Sequence, residues 1–137
     1  MPIPRSMSGD RYASPPKPDV MSCDCPSRKI LNHVTSRWGG LVLISLRCRT
    51  FRFSELRRLI SGISERMLAQ TLQTLEADGF VHRQAFDVVP PHVEYSLTPI
   101  GRELADRVAD LSGWIEDNLH RIPGAAAGSN DTESSRA

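Results

Sequence analysis

Cysteine is scarce: the 137-residue chain has three, Cys23, Cys25 and Cys48. Three thiols cannot make a fully paired disulfide framework, and a reducing, cytoplasmic setting is expected. No apolar run approaches the roughly 18 residues of a membrane span, which excludes a membrane-spanning helix. The N-terminus lacks the apolar core that a secretory signal needs. There is no glycine-rich phosphate loop. His33, His82, His92 and His120 are scattered, and none stands in a sequence pattern with a carboxylate and a nucleophile. These absences argue against an enzyme, and nothing calls for a cofactor or a metal.

Net charge is lacking too: 17 Lys+Arg face 16 Asp+Glu, leaving +1. That balance hides an uneven distribution. Residues 1–25 carry three basic and three acidic residues, residues 26–102 eleven and six, and residues 103–137 three and seven. Ten of the eleven central cations are Arg, the side chain that grips phosphate bidentately. A basic centre beside an acidic end suits a polyanion partner for the centre alone, although a solvated mixed surface gives the same sums. Hydrophobic residues are only 39%. The shortfall sits at the ends: residues 1–24 hold five of the ten prolines, and residues 123–137 are almost only small and polar. Residues 1–24 are expected to be a disordered arm and 123–137 a disordered tail. One domain over 25–122 remains, about 100 residues and enough for one modest core.

Pro26 suits a first helical position, and Ile30, Leu31 and Val34 make one stripe, so 26–36 is predicted as a short helix. Residues 38–46 are apolar nearly all round. The helical spacing of Trp38, Leu41, Val42 and Leu46 favours a buried helix over a strand, against the cost of Gly39 and Gly40. Phe53-Ser54-Glu55 reads as an apolar residue, a Ser cap and an acidic first turn, with Leu56, Leu59 and Ile60 as the inner face. Ser61-Gly62-Ile63 breaks that helix. Ser64 caps the next, with Met67, Leu68, Leu72 and Leu75 as its buried stripe and Gly79 as its stop. A short helix, a glycine-containing turn and a longer helix make a helix-turn-helix. Two strand patterns follow, over Phe80–Phe86 and Val93–Leu97, joined by a stretch too long and proline-rich for a tight turn. Such a ribbon is a wing. Thr98-Pro99 opens a last helix on which Leu104, Val108, Leu111 and Ile115, widened by Trp114 and Leu119, form a heptad-like seam suited to a second copy of the chain.

The outer face of the longer helix shows Glu65, Arg66, Ala69, Gln70, Gln73 and Thr74. Gln reads adenine and Arg reads guanine bidentately in the major groove, so Arg66, Gln70 and Gln73, with Ala69, are expected at base edges. Ser54, Arg57, Arg58, Ser64 and Arg83 would hold phosphates. The competing reading is a winged helix that serves as a protein-interaction module without binding DNA. Its outer face, however, lacks the aromatic anchors of a protein interface. Cys25 falls at the start of the first helix, where the helix dipole favours a thiolate, so a redox or electrophile sensor stands beside an inert thiol. A zinc site from Cys23, Cys25, Cys48 and His33 matches no strong ligand spacing.

One combination of residues is familiar. It comprises Cys25-Pro26, Trp38-Gly39, Arg52-Phe53-Ser54-Glu55-Leu56-Arg57, Gly62-Ile63-Ser64, Met67-Leu68, Asp78-Gly79-Phe80-Val81, Val89-Pro90-Pro91, Val93-Glu94-Tyr95-Ser96-Leu97-Thr98 and Gly101. Over about residues 25–120 the chain resembles the HxlR family of bacterial winged-helix transcriptional regulators, in its YtfH-type branch. The resemblance implies a mainly α fold with a small β-ribbon: a winged helix-turn-helix with flanking dimerisation helices. It implies a homodimer on a pseudo-palindromic double-stranded DNA operator, a recognition helix over Ser64–Asp78 and a wing through Pro90, Pro91 and His92. It also points to Cys25, since some members sense electrophiles or disulfide stress through the Cys of the Cys-Pro pair. This chain departs from the family pattern at Phe86-Asp87, where Tyr-Pro is common, and at His92, where a basic residue is frequent.

Overall fold

The computed structural model describes residues 17–126. They divide into two units, one ending at Ser36 and the other beginning at Arg37. The arm expected over 1–24 lies outside the described residues as far as residue 16, and the tail expected over 123–137 lies outside them from residue 127. Residues 123–126 are helical.

In the first unit, helix α1 spans Pro26–Val34. Cys25 is its extended N-cap residue, with φ −81° and ψ 132°, and Pro26 takes the first helical position, where a missing N–H costs nothing. The helix ends two residues before the sequence expectation. Thr35 sends both its N–H and its hydroxyl to the Leu31 carbonyl, at 2.9 and 2.8 Å.

The second unit opens with helix α2, Gly39–Cys48. It packs against every other major helix of its unit and against the sheet. Val42, Leu43 and Leu46 are fully buried, and Ser45 satisfies its hydroxyl on the Leu41 carbonyl at 2.8 Å. The expected buried helix is therefore present and runs two residues further, but Leu41 is exposed and Leu43 takes the inward position. Strand β1, Phe51–Arg52, runs straight into helix α3, Phe53–Leu59. Helix α4 is Glu65–Ala77, strand β2 Val81–Phe86, strand β3 His92–Leu97 and helix α5 Pro99–Asp117, followed by a 3-10 turn at Leu119–Arg121.

The sheet is antiparallel with order β1-β3-β2. Strand β1 pairs Phe51 with Tyr95 and Arg52 with Glu94, so the expected two-stranded ribbon gains a third strand. Two residues are too few to show alternation, so β1 leaves no periodic signal in the chain. This strand also moves the start of α3. Its N-cap is Arg52, whose N–H donates to Glu55 Oε1 at 2.8 Å, so Ser54 sits inside the first turn and is not the cap. Leu59 is exposed as well, because the chain leaves helical geometry at Ile60, and Ile60 and Ile63 fill the inward positions. Leu56 of α3 and Leu68, Leu72 and Leu75 of α4 complete the core around Leu43 and Leu46. Each such side chain stabilises the fold by roughly 1.5–3 kcal/mol through burial.

Candidate nucleic-acid interface

Helix α4 is set by local chemistry at both ends. Ser64 Oγ accepts the Met67 N–H at 3.1 Å, and Glu65 lies in the first turn. At the other end Phe80 N–H reaches the Leu75 carbonyl and Gly79 N–H the Glu76 carbonyl, both at 3.0 Å, with Gly79 at φ +90°. This is a Schellman stop, and its left-handed residue is glycine because a side chain there would be strained. The turn before α4 uses the same device at Gly62, φ +89°.

Burying Leu68, Leu72 and Leu75 turns Arg66, Gln70 and Gln73 outward and exposed, with Ala69 half-buried beside them. Met67 is exposed, not part of the buried stripe. It lies about 100° round the helix from Leu68, on the flank shared with Thr71 and Thr74. The outward face thus carries one guanidinium and two amides from three successive turns. Arg57 and Arg58 stand on α3 and Arg83 on β2, all exposed. Arg57 Nη1 stands 3.6 Å from Glu65 Oε2, an ion pair across the turn that the sequence did not disclose. Ser64 Oγ accepts the cap bond through a lone pair, so its O–H is not used in that bond.

The wing is the β2–β3 hairpin, in register from Val81↔Leu97 to Phe86↔His92. Its mouth is closed by the Phe86 and His92 rings, stacked with centroids 4.9 Å apart, and His92 Nε2 is 3.1 Å from Glu94 Oε2. His92 therefore begins β3, half-buried and engaged, instead of standing at the tip. The tip is Asp87–Pro91, with Pro90 and Pro91 exposed and Val89 98% exposed. It holds no cation. Two further cations at the end of α2 are tied down: Arg49 stacks 3.9 Å over Phe51 and pairs with Glu55 at 3.4 Å, and Arg47 pairs with Asp106 at 2.9 Å.

On α5, Thr98 caps the helix through Gly101 N–H at 3.0 Å. Gly101 and Ala105 face the core. The seam of Leu104, Val108, Leu111 and Ile115 lies roughly a fifth of a turn away from that core-facing line, on the 3.6-residue period. Leu104 and Val108 are half-buried, while Leu111, Trp114, Ile115 and Leu119 are exposed, Trp114 to 54%. No helix among the described residues is long and apolar enough to cross a membrane.

In the first unit, Cys25 Sγ accepts the Asp19 N–H at 3.3 Å and lies 3.0 Å from Ser27 Oγ. These bonds, led by that of Ser27, hold its thiol below the usual cysteine range. Cys23 is exposed, with Sγ 3.7 Å from Asp24 Oδ1, and Cys48 is exposed at the last residue of α2. Among the described residues no three His, Cys, Asp or Glu side chains are placed to hold a metal.

Comparison with known proteins adds four findings. The family described as HxlR-like helix-turn-helix matches residues 33–123. The uncharacterized HTH-type transcriptional regulator YtfH of Escherichia coli (strain K12) is 62% identical over 98 residues, covering 72% of this chain and 78% of that protein. Among solved structures, the transcriptional regulator ytfH from Salmonella typhimurium superposes with a TM-score of 0.75 at 54% identity, covering 81% of this chain and 99% of that one. The redox regulator HypR in its oxidized form gives 0.63 at 41% identity, covering 69% and 97%.

Proposed function

Because the chain belongs to the HxlR-like helix-turn-helix family, whose members are transcriptional regulators and not enzymes, we propose that it acts as a homodimer on a pseudo-palindromic DNA operator in the cytoplasm. The observation that carries this reading is the outward face of α4. A helix capped at both ends presents Arg66, Gln70 and Gln73 together, and the exposed Arg57 and Arg58 of α3 and Arg83 of β2 supply cations from neighbouring elements. The amides and the guanidinium suit base edges, and the flanking cations suit phosphates. The exposed seam of α5 supports the dimer: Leu111, Trp114 and Ile115 are costly to leave in water, and a twofold partner covers them with the same residues. Two recognition helices related in this way address half-sites about one helical turn apart.

The test is fluorescence anisotropy with a duplex from the region upstream of the protein's own gene, titrated across salt. Tight binding that prefers this duplex over a scrambled one and weakens steeply with salt supports the reading. Salt-independent or absent binding at low ionic strength overturns it, and the protein-interaction reading then takes its place.

A thiol switch is a second reading, favoured by the Cys25 geometry. Its sulfur lies beside the Ser27 hydroxyl and accepts the backbone N–H of Asp19, which stabilises the thiolate, the form that reacts with oxidants. The similarity to HypR, a redox regulator, supports the same idea. A mild oxidant should change DNA affinity, and Cys25→Ser should abolish that change. An oxidant-insensitive parent protein disposes of it.

A further inference from the structure

Helix α4 is weakly acidic. Across Glu65–Ala77 it carries Glu65, Arg66 and Glu76, and the cations that frame it stand on other elements. Glu65 is the unexpected member. It opens the helix at the end that would enter the major groove, its side chain is 73% exposed, and the charged partner within reach is Arg57 of α3, at 3.6 Å. Arg57 is itself 46% exposed and lies among the cations assigned to phosphates. A carboxylate there suits the helix dipole, but a polyanion repels it unless a donor meets it. Of the base-edge amino groups in the major groove, cytosine N4 fits a carboxylate best. Adenine places the N7 acceptor beside its N6 amino group, which repels the second carboxylate oxygen.

We propose that Glu65 is a specificity-determining residue that holds Arg57 back from phosphate until its own carboxylate meets a base-edge amino group, cytosine N4 being the best fit. On unrelated DNA, Glu65 keeps Arg57 as its counter-ion, and one phosphate goes ungripped. On the operator, cytosine N4 satisfies Glu65, and Arg57 turns to the backbone. Base reading and phosphate grip are thereby coupled through one ion pair. This inference rests on the DNA-binding reading above.

The experiment uses the full-length protein with Glu65→Gln, Arg57→Ala and the double variant. Each is titrated by anisotropy across salt against the upstream duplex and a scrambled duplex of equal composition. Glu65→Gln should tighten scrambled DNA about tenfold and steepen its log–log salt slope by about one unit, one more phosphate being neutralised. The upstream duplex should change less than about threefold, so the specificity ratio falls. In the Arg57→Ala background the gain on scrambled DNA should vanish. An unchanged specificity ratio in Glu65→Gln overturns the proposal. A gain that persists without Arg57 also overturns it, because general charge repulsion alone would then be at work. If the parent protein shows no salt-dependent binding to either duplex, the DNA-binding reading itself fails and this proposal with it; the parent titration separates the two failures.

Discussion

Replacing Gly101 with alanine should be among the most damaging single-methyl changes in the domain. Gly101 sits in the first turn of α5, where that helix meets the end of α4 and the start of β2. A Cβ there would drive into the Phe80 carbonyl, 2.8 Å from its carbon and 3.0 Å from Phe80 Cα. Both obstacles are backbone, so no rotamer change relieves them. Relief requires α5 to move away from Phe80. That movement strains Thr98 N–H to the Phe80 carbonyl at 3.0 Å and the Thr98 hydroxyl to the Gly79 carbonyl at 2.6 Å. Overpacking costs roughly 1–3 kcal/mol, and each hydrogen bond lost about 1 kcal/mol. Alanine returns up to about 1 kcal/mol of helix propensity. The expected net loss is roughly 2–4 kcal/mol, or a Tm lower by roughly 10–25 °C for a domain of this size. Urea unfolding followed by the fluorescence of Trp38 and Trp114 measures it. A variant within about 1 kcal/mol of the parent would refute the reasoning, since it would mean that this junction yields freely.

Other outcomes follow from the interface geometry. Gln70→Ala should relax sequence preference while leaving the salt slope unchanged; Arg83→Ala should weaken all duplexes alike and flatten the slope by about one unit, both read by anisotropy across salt. Leu111→Asp on the exposed part of the α5 seam should convert a dimer to monomers in sedimentation velocity and abolish the concentration dependence of Tm, because Leu111 is outside the monomer core and its loss acts through association. For Cys25, hydrogen bonds lower the folded pKa, so the thiolate persists to lower pH than in the unfolded chain. The stabilisation linked to that shift is present above the unfolded pKa and is lost as pH falls through the folded one. Iodoacetamide labelling of Cys25 should therefore reach half its limiting rate at a lower pH in the folded protein, and Ser27→Ala should move that midpoint upward. Identical midpoints in all three would remove the hydrogen bonds as the cause.

Elements whose limits are set within a few residues were legible in the sequence. Ser64 and Gly79 bracket α4 through bonds spanning three to five residues, and Thr98-Pro99 opens α5 in the same local way. The outward placement of Arg66, Gln70 and Gln73 follows from the buried leucines by periodicity alone. What escaped depends on partners distant in sequence. Strand β1 exists because β3 offers it a ladder, 42 residues away at Arg52↔Glu94, and it displaced the cap from Ser54 to Arg52. The exposure of Leu59 and Met67 depends on where short helices end and which flank their neighbours cover. The Arg57–Glu65 pair crosses a turn whose shape no periodicity encodes. The engagement of His92 with Phe86 and Glu94 likewise needed the hairpin register.

Arg52 is at once the last residue of β1 and the cap of α3, with no residue between strand and helix. Its pairing with Glu94 and its N–H bond to Glu55 fix both sides of that joint. One inserted residue there would either rotate α3 by about 100° or slip β1 by one position, turning Phe51 out of the core. The wing loop, Asp87–Pro91, carries no such double duty and can lengthen or shorten while Phe86 and His92 remain paired. Changes of length in proteins built this way should therefore accumulate in the wing loop, and the step from Arg52 to Phe53 should stay free of insertions and deletions.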